Sequence, residues 1–180
     1  DKIILATGEN RENDILARTV GKLGFDVFRG SEDDVLDRYY QATKQYDPES
    51  IVRITGDCPL IEPSIVDAAI CQYEQDRVDY LNNVTPPTFP DGMDVEIFSN
   101  KVLKEAWEKT KSPQEREHVS AYMRYNKIFR KSYLINNNNY GHERLTIDEA
   151  DDLKVVEGII NYFEPNLDFN LEDIMQLKKE

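Results

Sequence analysis

Ser50-Ile51-Val52-Arg53-Ile54-Thr55-Gly56-Asp57-Cys58-Pro59-Leu60-Ile61 decides the fold class. Its first half is β-branched and apolar, which predicts a strand, and Gly56-Asp57 ends it. Residues 63–75 then predict a helix that opens on Pro63, a residue suited to a first helical turn. The same strand–helix unit occurs twice upstream. Lys2-Ile3-Ile4-Leu5-Ala6-Thr7 is a short apolar run followed by helical spacing of Ile15, Leu16, Val20 and Leu23 over residues 14–23, closed by Gly24. Asp26-Val27-Phe28 is a second short strand, and Ser31-Glu32-Asp33-Asp34 starts a helix through Val35, Leu36, Tyr39 and Tyr40. Strand and helix alternating with short connections predict an α/β fold, mainly a parallel sheet with helices on both faces. The near-continuous Ile3-Ile4-Leu5-Ala6 run suits a strand buried on both faces.

Downstream the alternation breaks. Val78-Asp79-Tyr80-Leu81 predicts a strand, and residues 85–92 form a Pro- and Gly-rich loop. Met93, Val95 and Ile97 share one face of the next strand, while Asp94 and Glu96 share the other. Residues 101–109 and 113–126 predict helices, the second opened by a Ser112-Pro113-Gln114-Glu115 capping box. Strands are expected over 129–135 and 144–147, a helix over 149–162, and a short amphipathic helix from Leu171. No repeat or long linker divides residues 1–180, so one domain is expected.

The 180 residues carry a formal net charge of −13. So acidic a surface disfavours nucleic acid and anionic membrane as partners, and a nucleoside triphosphate would need a bound cation. Cys58 and Cys71 make neither a disulfide framework nor a zinc quartet. No apolar run is long enough to span a bilayer, and nothing reads as a signal peptide. A soluble protein of a reducing compartment, the cytoplasm, is expected.

Five places could carry chemistry. Asp57 ends a strand where open α/β sheets bind ligands, and a carboxylate there suits a hard cation such as Mg²⁺; an Asx turn would also explain it. Asp148, delivered by Arg144-Leu145-Thr146-Ile147, could do the same or could cap the following helix. In Gly30-Ser31-Glu32-Asp33-Asp34-Val35-Leu36-Asp37-Arg38, a capping box of Ser31 and Asp34 and a solvated face carrying Asp37 and Arg38 compete with a ligand site. Asp94 and Glu96 either bind sugar hydroxyls or face water. Glu115-Arg116-Glu117-His118, with Tyr122 one turn beyond, is a charged helix face that could line a pocket. The phosphate-loop, dinucleotide and nucleophile-elbow glycine motifs do not occur.

In combination these stretches are more specific. Phe28-Arg29-Gly30-Ser31-Glu32-Asp33-Asp34-Val35-Leu36-Asp37-Arg38-Tyr39-Tyr40, Val52-Arg53-Ile54-Thr55-Gly56-Asp57-Cys58-Pro59-Leu60-Ile61, Phe89-Pro90-Asp91-Gly92-Met93-Asp94-Val95-Glu96, Glu115-Arg116-Glu117-His118-Val119 and Arg144-Leu145-Thr146-Ile147-Asp148 follow one another in an order that resembles the spore-coat-polysaccharide F-type cytidylyltransferases, relatives of CMP-sialic acid and CMP-KDO synthetases. The resemblance implies a Rossmann-like nucleotide-diphospho-sugar transferase fold and transfer of CMP from CTP to an acidic sugar, with release of pyrophosphate. It implies Asp57 and Asp148 as catalytic Mg²⁺ ligands, Asp37 and Arg38 beside the nucleotide or sugar, and Arg53 beside the nucleotide. Asp94, Glu96, Glu117 and His118 would shape the sugar pocket or a dimer contact. An arm over about residues 82–107 would pair two subunits. The family opens with a Gln-Ala-Arg-x-Gly-Ser-x-Arg-Leu-Pro-Gly-Lys phosphate-binding strand and loop, whereas residue 1 here aligns with its second strand. Residues 1–180 alone are therefore expected not to turn over. Two other readings stay open: a glycosyltransferase, although Pro59 stands where an Asp-x-Asp would place its second aspartate, and a non-catalytic paralogue acting as a partner subunit.

Overall fold

The structure is a computed structural model that describes residues 2–179. In chain order its elements are β1 (Ile4–Gly8), α1 (Asp14–Lys22), β2 (Asp26–Gly30), α2 (Val35–Tyr46), β3 (Ser50–Arg53), α3 (Pro63–Asp76), β4 (Tyr80–Asn82), β5 (Glu96–Ser99), α4 (Asn100–Lys109), α5 (Pro113–Glu117), α6 (Ala121–Tyr125), β6 (Lys131–Tyr133), α7 (Ala150–Phe163) and α8 (Leu171–Leu177). The chain divides into two compact units, one holding the chain up to Ile51 with Phe98–Arg130, the other holding Val52–Ile97 and the chain from Lys131 onward.

In the first unit β1 and β2 form a parallel pair, from Ile4 opposite Asp26 to Gly8 opposite Gly30. Arg29 staples the loop after β1: its Nε donates to Gly8 O at 3.1 Å, Nη2 to Asn10 O at 2.8 Å, and Nη1 to the Asp14 carboxylate at 2.6 Å. β1 is not covered on both faces as its apolar run predicts. Ile4, Leu5 and Ala6 are half-buried, because β2 is the strand's one neighbour in a two-stranded sheet. α1 is amphipathic yet none of its residues is buried. α2 is capped by Asp34, whose carboxylate accepts from Asp37 N at 2.9 Å, while the Ser31 hydroxyl accepts from Asp34 N at 3.0 Å. Ser31 therefore shapes the approach to the helix and Asp34 caps it. The helix expected over 113–126 is two short ones. Val119 between them has φ 56°, a left-handed backbone that a β-branched residue rarely adopts and that no continuous helix can pass through. The expected cap hydrogen bond from Ser112 does not form.

The second unit is built on a sheet in the order β3-β5-β4-β6, with β4 and β6 parallel. Its core gathers Leu81, Met93, Val95, Ile97, Leu145 and Ile174, each at most 1% exposed, with residues of α3, α7 and α8 around them. Each such side chain contributes about 1.5–3 kcal/mol by leaving water. The alternation of Met93, Val95 and Ile97 read from the sequence places them in this core. Phe98, in the first unit, is also fully buried. These apolar side chains are covered by the chain itself. Residues 144–147 do not form a strand; a single parallel bridge joins Asp91 to Arg144. Gly92, at φ 103°, lets the backbone turn there: a Cβ would lie 2.5 Å from the Leu145 carbonyl carbon and the Thr146 nitrogen.

Candidate active site

Asp57 follows β3 in a turn made by the backbone, Cys58 N donating to Thr55 O at 3.2 Å. Its carboxylate is half-buried and accepts no backbone N–H among the described residues, so the Asx turn is not formed. Its one side-chain contact is the Cys58 thiol, 3.5 Å from Oδ1. The Asp57 carbonyl instead accepts from Ile147 N at 2.9 Å and from the Thr146 hydroxyl at 3.2 Å. Two segments ninety positions apart are thereby tied together one residue before Asp148. Asp94 belongs to the same neighbourhood. Burial pushes the Cys58 thiol up to about 11, and the negative charges of Asp57 and Asp94 add to the rise.

Asp148 does not cap α7. Glu149 occupies the cap position, and Asp152 Oδ2 accepts from the backbone N–H groups of Asp148 and Glu149 at 3.0 and 2.9 Å. Asp148 Oδ2 accepts from Arg144 Nη2 at 2.6 Å, leaving Oδ1 without a hydrogen-bond or ion-pair partner among the described residues. Arg144 also binds Asp152 through Nε at 3.0 Å and Nη2 at 2.8 Å, and Asp91 through Nη1 at 3.2 Å. The guanidinium and the two backbone donors hold the Asp152 carboxyl far below the usual carboxylate range, and hydrogen bonds to Asp152 and Asp148 raise Arg144 further. The sequence reading missed Arg144 as the centre of this cluster. Its signal was the spacing of Arg144, Asp148 and Asp152, which was read as strand followed by cap.

Other expected site residues are engaged elsewhere. Glu96 does not face water: it is 1% exposed, Arg53 Nη1 donates to it at 2.6 Å, and the Tyr80 hydroxyl donates to its other oxygen. Arg53 is accordingly turned toward the buried Glu96. Asp37 accepts from Trp107 Nε1 at 2.7 Å and from Gln41 Nε2 at 2.9 Å, which makes it a tie between α2 and α4. Arg38 Nη1 donates to Ser31 O at 2.9 Å and holds the loop before α2. Glu117 and His118 are exposed at the end of α5, and the turn at Val119 separates them from Tyr122. Two concavities of about 490 and 280 Å³ lie in the first unit. Arg116, from the charged stretch read as a possible pocket lining, lines the first, whereas Asp57 and Asp148 line neither.

The donors fit a hard divalent cation. Asp57 Oδ2 and Asp148 Oδ1 are carboxylate oxygens with no partner among the described residues, and Mg²⁺ characteristically takes one or two protein carboxylates and draws its remaining ligands from phosphate and water. No group of three or more His, Cys, Asp or Glu suited to a metal occurs among the described residues.

The α/β fold is that of a Rossmann-like nucleotidyltransferase. The sequence profile of the cytidylyltransferases matches residues 1–178, and the chain belongs to that family. It is 36% identical over 167 residues to an uncharacterized protein of Methanocaldococcus jannaschii, covering 91% of this chain and 68% of that one. It is 30% identical over 163 residues to the spore coat polysaccharide biosynthesis protein SpsF of Bacillus subtilis, covering 88% and 67%. A solved cytidylyltransferase from Leptospira borgpetersenii superposes with a TM-score of 0.92 at 35% identity, covering 98% of this chain and 75% of that one. No helix among the described residues is long and apolar enough to cross a membrane.

Proposed function

We propose that the full-length protein transfers CMP from CTP to an acidic sugar, giving a CMP-sugar for surface polysaccharide or glycan synthesis, with Asp57 and Asp148 as ligands of Mg²⁺. In this reaction a sugar hydroxyl oxygen forms a bond to the α-phosphorus, the bond from that phosphorus to the pyrophosphate oxygen breaks, and the hydroxyl proton passes to solvent or a phosphate oxygen. The observation that carries the reading is the tie from the Asp57 carbonyl to Thr146 and Ile147, which joins the two segments one residue before Asp148, while Asp57 and Asp148 each keep a carboxylate oxygen unengaged among the described residues. Bound Mg²⁺ would neutralise triphosphate charge and polarise the reacting phosphoryl group. The chain's own contribution is positioning. Asp57 is anchored by its backbone, Asp148 by Asp152 and Arg144, and β3 leads to Asp57 from the buried Arg53–Glu96 pair. A chain with net charge −13 would hold an anionic substrate through such a cation. The relationship to a spore coat polysaccharide biosynthesis protein supports the surface-glycan assignment.

The test is Mg²⁺-dependent pyrophosphate release from CTP with a panel of acidic sugars, comparing wild type with Asp57→Asn and Asp148→Asn. Each variant is expected to lose at least about a hundredfold in turnover, the scale of a lost charge-stabilising group, with an unchanged circular dichroism spectrum. Near-normal turnover in either variant removes that aspartate from the site.

A further inference from the structure

We propose that Arg144 is the positioning residue of the metal site: it fixes the rotamer of Asp148 so that Oδ1 is presented to the cation. This rests on the reading of Asp148 as a Mg²⁺ ligand. Three contacts carry it. Asp152 is the anchor, because its two oxygens accept from Arg144 Nε and Nη2, and Oδ2 also accepts the backbone N–H groups of Asp148 and Glu149. With both oxygens filled it is a poor ligand itself, and it fixes the plane of the guanidinium. Arg144 Nη2 then reaches Asp148 Oδ2 at 2.6 Å. Asp148 is consequently held at two points on one support, its N–H directly on Asp152 and its carboxylate through Arg144. One oxygen is saturated and the other is not.

The fork is what lysine cannot reproduce. A guanidinium donates in fixed directions to several carboxylates at once, whereas an ammonium is a point charge on a flexible stem. Arg144 also meets Asp91 Oδ2 at 3.2 Å, beside the tight turn at Gly92, so the same group is braced on both sides. Groups that orient a metal ligand from behind act on affinity as strongly as many ligands do, typically by 10–100-fold.

The test is Mn²⁺ binding to the full-length protein, followed by water-proton relaxation enhancement with and without CTP. Arg144→Lys keeps the charge and removes the fork, and is expected to weaken Mn²⁺ binding about tenfold or more. Its circular dichroism spectrum should be unchanged. Mn²⁺ affinity within about twofold of wild type, whatever happens to the melting temperature, overturns the proposal and leaves Arg144 a structural tie. If Arg144→Lys does not fold, Asp152→Asn keeps an acceptor for the α7 cap, removes the charge that anchors Arg144, and carries the same expectation and the same overturning result. Asp57→Asn separates the two levels. Loss of Mn²⁺ binding in that variant, with Arg144→Lys unaffected, sinks the positioning role alone. No protein-bound Mn²⁺ in the wild type, with or without CTP, overturns both the metal assignment and this inference.

Discussion

Replacing Glu96 with alanine tests whether the buried ion pair is part of the scaffold. The Glu96 side chain is 2% exposed and that of Arg53 18% exposed, at an N–O separation of 2.6 Å. Truncation leaves a guanidinium charge in the core without this carboxylate, and the Tyr80 hydroxyl loses its acceptor. Breaking one side of a buried pair costs about 3–5 kcal/mol. Because water reaches part of the Arg53 side chain, the lower end applies, about 3 kcal/mol. In urea unfolding that is a fall in midpoint of about 1–2 M. In thermal unfolding it is a drop of about 6–12 °C for a chain of this size. Arg53→Met with Glu96→Leu, which replaces the pair by apolar groups of similar volume, should recover most of the loss. A shift for Glu96→Ala below about 1 kcal/mol, the range of exposed pairs, would refute the burial argument and reopen Glu96 as a ligand-facing carboxylate.

Gly92→Ala should destabilise by more than about 2 kcal/mol in urea unfolding, since it combines a positive φ with a Cβ pushed into the backbone of Leu145 and Thr146; a neutral effect would mean that the 91–92 turn is free to move. Cys71 is exposed and Cys58 buried. With its thiol pushed up to about 11, Cys58 stays protonated and unreactive at pH 8. One thiol per folded chain should react rapidly with a disulfide reagent at that pH and the second only on unfolding; two fast thiols would contradict the burial of Cys58.

Local patterns in the sequence were enough to place α2, α3, α4, α7 and α8 to within a few residues, because each shows a helical apolar stripe or a clear start signal such as Pro63. The motif order also brought out Asp57 and Asp148 as the carboxylates of interest. Where local pattern misled, the deciding force came from elsewhere in the chain. Residues 113–126 have a continuous helical pattern, but Val119 is held in a left-handed conformation and fully buried, so tertiary packing prevails over propensity. Glu96 alternates with apolar neighbours and reads as an outward residue. It points instead to Arg53 and Tyr80, which reach it from other strands, and a period-two pattern cannot say whether the second face of a strand is water or core.

The amino-acid sequence by itself determined the class of fold and the family, because strand–helix periodicity and motif order are properties of the chain read in one direction. Only the tertiary structure decided which contacts the carboxylates make. The bond from Ile147 to the carbonyl of Asp57, and that from Arg144 to Asp91, join residues too far apart in sequence for a local signal. Each carboxylate had two local explanations, a cap or a turn against a ligand. Among the described residues neither local role is taken, because Asp152 accepts the backbone N–H at Asp148 and the Thr55 carbonyl closes the turn at Asp57.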